Sequence, residues 1–283
     1  MLSTRIAPLL FVSASLFSQT ARWSGPDQPV YVVTRNHYAG IFAPDTSGTL
    51  VLGELIMIEI FRPPGRRNSE APYKMGASHA LFMGGEHAGQ VVVRKAAPLQ
   101  CNSSAGIVAA NAIRFSDNTM ALATNARGIQ SHPNRQRDPS PHERLQAIRL
   151  AMTEFRKHGI PQSLASEVKL ERLIATQIDR DGREILSGSL TIKTNKAEHR
   201  VFLIVGIVSD NATTELVDYH RTTDLEDGKD SLGLRFVDQL DLDGDGVDEV
   251  IVEAIGYENE SFLIYKRLSS TWKKVWAGGV GGC

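Results

Sequence analysis

Apolar positions along this chain fall into short dense runs rather than long helical stripes. Val30-Tyr31-Val32-Val33 is the first, and Thr49 to Phe61 is a second, rich in Leu, Val and Ile, that stops at the turn Pro63-Pro64-Gly65. His79 to Met83 and Gln90 to Arg94 flank Gly84-Gly85 in the manner of a hairpin. Ala105 to Arg114 and Met120 to Thr124 complete the set. No stripe with a 3.6-residue period interrupts these runs, so residues 24–128 are expected to form a small antiparallel sandwich or barrel.

The pattern then breaks. Arg127-Gly128 and the segment Ser131 to Pro139 are polar and interrupted by proline, which reads as a linker. Ser140-Pro141-His142-Glu143 is a capping box with proline at the first helical position. Leu145, Ile148, Met152 and Phe155 follow on one face of the predicted helix. Lys157 and His158 suit its C-terminus, Gly159 its cap, and Pro161 forbids continuation. Leu164 to Val168 adds a short second helix.

From Lys169 onward the runs are strand-like again: Leu170 to Ile178, Ile185 to Thr194, Val201 to Val208, Leu232 to Val237, Val250 to Ala254, Phe262 to Lys266 and Trp272 to Trp276. The expected fold class is therefore α+β and β-dominated. It comprises an N-terminal antiparallel β domain (24–128), a linker with one capped amphipathic helix (129–165) and a C-terminal β-rich domain (166–283). The helix is expected to pack on the C-terminal domain or to bridge the halves.

One apolar run is of another kind. Arg5 precedes Ile6 to Phe17, twelve residues closed by the polar Ser18-Gln19-Thr20-Ala21. That is the layout of a secretory signal peptide over residues 1–21, with a buried N-terminal element as the alternative reading. The run is shorter than the roughly 20 residues that span a bilayer, and no later run reaches that length. The expected location is secreted, periplasmic or cell envelope, with no integral membrane span.

Composition alters this picture little. The chain has 283 residues, is 42% hydrophobic and 22% charged, and carries a formal net charge of −1. That balance suits one large or two modest globular units and gives no electrostatic case for nucleic acid. Two cysteines, Cys101 and Cys283, would either pair in an oxidising compartment or remain thiols. No Cys-x-x-Cys pattern occurs, which excludes a zinc ribbon or thioredoxin-type site.

The charge is unevenly spread, and this carries the chemistry. Asp238 to Glu249 holds six acidic residues and no basic one. Within it, Asp241-Leu242-Asp243-Gly244-Asp245-Gly246-Val247-Asp248-Glu249 places carboxylates at positions one, three, five and nine, with glycines at four and six to fold the backbone back. Four converging carboxylates repel unless a cation neutralises them. Calcium takes six to eight hard oxygen ligands in a flexible shell, whereas magnesium demands stricter geometry, so calcium is the expected ion. The alternative is an acidic hairpin loop with no specific ion. An EF-hand does not fit, because position twelve is Val252 rather than glutamate and the flanks are strand-like.

Asp241 to Glu249, with the strand that follows, resembles the calcium loops of FG-GAP and VCBS-type repeats, known from integrin-like β-propellers and exported bacterial proteins. The resemblance spans about residues 236–256. It implies Asp241, Asp243, Asp245, the Val247 carbonyl and Glu249 as metal ligands. Glu249 stands where Asp is commoner, and no Phe-Gly pair precedes the loop. A weaker echo at Gln177 to Ile185 keeps only two of the four carboxylates and reads as a hairpin turn. Two such units do not close a propeller, which needs at least four blades.

Other constellations carry less. His79, Glu86 and His87 sit around a hairpin, and Asp224, Glu226, Asp227 and Asp230 flank Gly228 as an acidic turn. His142-Glu143 begins like a zincin helix, but Gln146 stands where its second histidine belongs. No Gly-x-Ser-x-Gly elbow and no phosphate-binding loop occurs. The expected function is a non-enzymatic, calcium-binding envelope module with an unknown protein or glycan partner. The alternatives are an exported hydrolase with its site in the N-terminal β domain, and a purely structural envelope component.

Overall fold

A computed structural model describes residues 23, 25–35, 55–65, 73–98, 104–111, 114–116, 119–208, 211–223, 233–256 and 259–282. The proposed signal peptide, both cysteines and the acidic turn at 224–230 lie outside them. Six strands form the N-terminal part: β1 (Val30–Arg35), β2 (Leu55–Phe61), β3 (Ser78–Met83), β4 (Glu86–Pro98), β5 (Ser104–Asn111) and β6 (Met120–Thr124). They close into an antiparallel barrel in the order β1-β2-β5-β4-β3-β6, with β6 pairing back onto β1. The Gly84-Gly85 hairpin forms as expected, with φ of 59° and 80°.

The helix α1 (Pro141–Lys157) begins at its capping box: the Ser140 hydroxyl accepts from the Glu143 N–H, and the Glu143 carboxylate accepts from the Ser140 N–H. One expectation fails here. Met152 and Phe155 are buried as expected, but Leu145 is 55% exposed and Ala147 and Ala151 are buried in its place. Ala147 and Ala151, one turn apart, share a cluster with Met152 and Phe155, on a stripe that leaves Leu145 to solvent. The short second helix forms as a 3₁₀ helix, Gln162–Glu167.

Two four-stranded antiparallel meanders make up the rest. The first contains β7 (Lys169–Gln177), β8 (Glu184–Lys193), β9 (Glu198–Val208) and β10 (Asn211–Thr222). The second contains β11 (Gly233–Leu240), β12 (Glu249–Ile255), β13 (Asn259–Leu268) and β14 (Thr271–Gly282). β10 is absent from the hydrophobic pattern because it is a half-buried edge strand with mostly polar residues. In both meanders the first hairpin is bulged, between Leu170 and Arg172 and between Phe236 and Asp238. The weak echo at Gln177–Ile185 and the acidic loop are thus the matching first turns of two like units.

The layers stack in one direction. α1 covers one face of the first meander through Leu186, Leu190, Val201, Leu203 and Val205. The other face, with Ile185, Phe202 and Ile204, packs on Phe236, Val250, Val252 and Leu263 of the second meander. The far face of the second meander places Val237, Leu240, Ile251, Phe262 and Ile264 against Val30, Val32, Ile56, Ile58 and Leu122 on the barrel. A separate cluster, with members from all six barrel strands including Tyr31, Met57, Leu81, Val91, Val108 and Ala121, fills the barrel interior. Strands covered on both faces must be apolar at successive positions, which explains the unbroken runs at Val30–Val33, Val201–Val205 and Val250–Val252. Trp276 on β14 donates to the Ile60 carbonyl at 3.1 Å and meets Phe61 edge-on, tying the second meander to β2.

Candidate metal centre

The acidic loop is the turn between β11 and β12, a strand–loop–strand setting. The chain reverses through Gly244 and Gly246, with φ of 78° and 90°. Asp241 fixes that reversal: its Oδ1 accepts from the Gly244 N–H at 2.7 Å and its Oδ2 from the Gly246 N–H at 2.9 Å. Glu249, fully buried at the start of β12, accepts from the Leu242 N–H at 2.8 Å through Oε2. Asp245 Oδ1 accepts from the Val247 N–H at 3.0 Å.

Oxygens of Asp241, Asp243 and Glu249 lie within 4.8 Å of one another. Asp245 stands further out, 45% exposed at its side chain. Val247 forms a bridge with Asp179 in the matching turn of the first meander, beside an Asp248 N–H to Ile178 carbonyl bond of 2.7 Å. Burial pushes Glu249 up to about 8, with the charge of Asp243 adding to it and Lys266 opposing. Burial likewise raises Asp241.

A residue the sequence reading missed sits among these carboxylates. Lys266, on β13, places Nζ 2.6 Å from Asp243 Oδ2, 2.6 Å from Asp245 Oδ2 and 3.1 Å from Glu249 Oε1. Burial works against its charge, but the bonds to Asp243 and Asp245 and the charge of Glu249 outweigh it, so its pKa is raised. The signal for it was strand register. Val250 pairs with Tyr265, so one step toward the loop come Glu249 and Lys266.

The donor set fits a hard cation. Every group that could serve as a ligand is an oxygen, each Asp241 oxygen keeps a lone pair beyond its backbone bond, and Asp243 Oδ1 is buried with no hydrogen-bond partner among the described residues. No thiol or imidazole enters the cluster, which sets it apart from zinc or copper chemistry.

The loop is also the meeting point of three segments. Gln130 of the linker bridges Asp241 and donates through Nε2 to the Gly244 carbonyl at 3.1 Å. His132 Nε2 contacts Asp248 Oδ2 at 2.7 Å, and Gln239 Nε2 donates to the same oxygen at 2.9 Å. The contact raises His132, while burial raises Asp248. Asp238, on the bulge of β11, accepts through Oδ1 from the Gly84 N–H at 2.9 Å and from Gln136 Nε2 at 2.7 Å. Its burial pushes it up to about 7 against those bonds. Linker, barrel hairpin and second meander are thus joined through buried polar groups.

His79, Glu86 and His87 do not converge. His79 lies against the Tyr31 ring and Asn125, the Glu86 carboxylate accepts from the Asn134 N–H, and the His87 N–H donates to Ser131. Among the described residues, no helix is long and apolar enough to cross a membrane. Compared with known protein families, curated proteins and solved structures, the chain matches none.

Proposed function

We propose that this chain is an exported, non-enzymatic binding module of the cell envelope, stapled by a calcium ion held at Asp241, Asp243, Asp245, Glu249 and the Val247 carbonyl. The observation that carries the reading is the convergence of Asp241, Asp243 and Glu249 oxygens within 4.8 Å in a loop already pinned by its own backbone N–H groups. The ion supplies the charge neutralisation that four clustered carboxyl groups call for. Its role is structural, because the same loop holds the linker through Gln130 and the first meander through Val247. Binding to carboxylates is coupled to their deprotonation, so calcium affinity should fall as pH is lowered. Arg5 with the apolar run Ile6 to Phe17 supports export. The partner, protein or glycan, is to be found among surface ligands outside the cell.

Calorimetric titration with calcium, and melting with calcium or with chelator, test the cation. The wild type should melt higher with calcium, and Asp243→Ala should lose that increment. If the two proteins melt alike in both conditions, the calcium reading fails.

A further inference from the structure

Lys266 does more than neutralise. Its ammonium has three protons and meets three acceptors, one from each of three carboxylates, at 2.6, 2.6 and 3.1 Å. The side chain is only 12% exposed, so this is an inward-held ammonium rather than a surface arm touching the loop. Two of the oxygens it uses, Asp243 Oδ2 and Glu249 Oε1, belong to the residues that converge as a cation cluster. An ammonium and a divalent ion cannot share those oxygens, since like charges a few ångströms apart in a half-buried site repel strongly.

We propose that Lys266 is the loop's built-in counter-cation and that a divalent ion enters only by displacing it. This rests on the cation reading above and adds how the site is regulated. The loop has two self-consistent states. In one the ammonium caps Asp243, Asp245 and Glu249; in the other the ion takes those oxygens and the ammonium swings out along its flexible stem toward solvent. The site is therefore exchangeable, and its affinity is lowered by the work of expelling a lysine. That places it toward the weak end of calcium sites, with a dissociation constant on the order of 10⁻⁴–10⁻³ M, the range typical of extracellular modules. It also gives Lys266 a second task, holding the loop closed when no ion is present.

The test compares wild type with Lys266→Met, which keeps an unbranched apolar stem and removes the charge. Calcium titration should show the variant binding about tenfold or more tightly, because nothing needs to be displaced. In chelator the variant should melt below wild type, and calcium should restore it. Equal dissociation constants for the two proteins would overturn the competition and leave the calcium reading standing. If neither protein binds calcium, that reading falls and the competition with it. Should Lys266→Met fail to fold, the wild type serves alone. Acetylation by an N-hydroxysuccinimide ester, read by mass spectrometry, should modify Lys266 several-fold faster in saturating calcium than in chelator. An unchanged rate at concentrations where calorimetry registers binding would overturn the inference.

Discussion

His132 and Asp248 meet at 2.7 Å between a proline-broken linker and the last residue of the acidic turn. The carboxylate is 1% exposed at its side chain. Without His132 it keeps, among the described residues, only the Gln239 amide as a side-chain donor. His132→Ala should therefore destabilise the protein by about 2–3 kcal/mol, the range for stranding a buried charged acceptor, measured by urea denaturation. The contribution of a group whose pKa is raised in the fold is complete below its ordinary value and is lost as pH rises through the folded one. The difference between His132→Ala and wild type should accordingly shrink at alkaline pH.

Asp238 gives a second pH signature. Burial raises it from the ordinary 3.8 to about 7, so the folded state retains a proton that the unfolded chain has released. Stability should fall as pH rises from about 4 through 7. Asp238→Asn keeps an acceptor for the Gly84 and Gln136 donors and places an amide where Oδ2 has no partner among the described residues. Melting temperatures across pH 5 to 8.5 should decline less for the variant than for wild type.

The opposite sign holds at Glu143. The Arg137 guanidinium at 2.7 Å, with the Ser140 N–H, holds its carboxyl down at about 2 although partial burial opposes them. A lowered carboxylate contributes above its ordinary pKa of 4.5 and loses that contribution as pH falls toward 2. Glu143→Gln should cost about 2 kcal/mol at neutral pH, since Arg137 is 42% exposed and solvent screens part of the pair. Acid titration followed by circular dichroism should show the wild-type advantage disappearing below pH 4.

Gly85 tests the close approach of the barrel hairpin to the linker. Its φ is 80°, and a Cβ there would lie 2.3 Å from the His132 ring. Gly85→Ala should therefore combine backbone strain with a clash and destabilise by at least about 2 kcal/mol. Nuclear magnetic resonance titration of His132 should show its pKa returning toward the ordinary histidine range, because the ring must leave Asp248.

What the sequence discloses follows the range of the interaction. The capping box at Ser140 and Glu143, the Gly84-Gly85 turn and the strand–loop–strand setting of Asp241 to Glu249 are local, and each is visible in a few consecutive residues. Leu145 went wrong because helical period alone cannot tell which of two adjacent stripes meets a sheet. β10 escaped because an edge strand has no need of dense apolar residues. Lys266 and His132 are nearest neighbours of the loop only through strand register and linker path, separated from their partners by 17 and 116 positions. The barrel's closure is likewise nonlocal, depending on β6 finding both β1 and β3.

The cluster shared by Val30, Val32, Ile56 and Leu122 with Val237, Ile251, Phe262 and Ile264 means that the barrel is not a portable part. Severed after Thr124, it would keep its filled interior but present an apolar flank to water, and the second meander would lose the lid over one of its faces. Neither piece is a finished solute. The chain should therefore resist being shuffled into other proteins at the linker, and a protease that nicks residues 131–139 should leave two fragments that stay together.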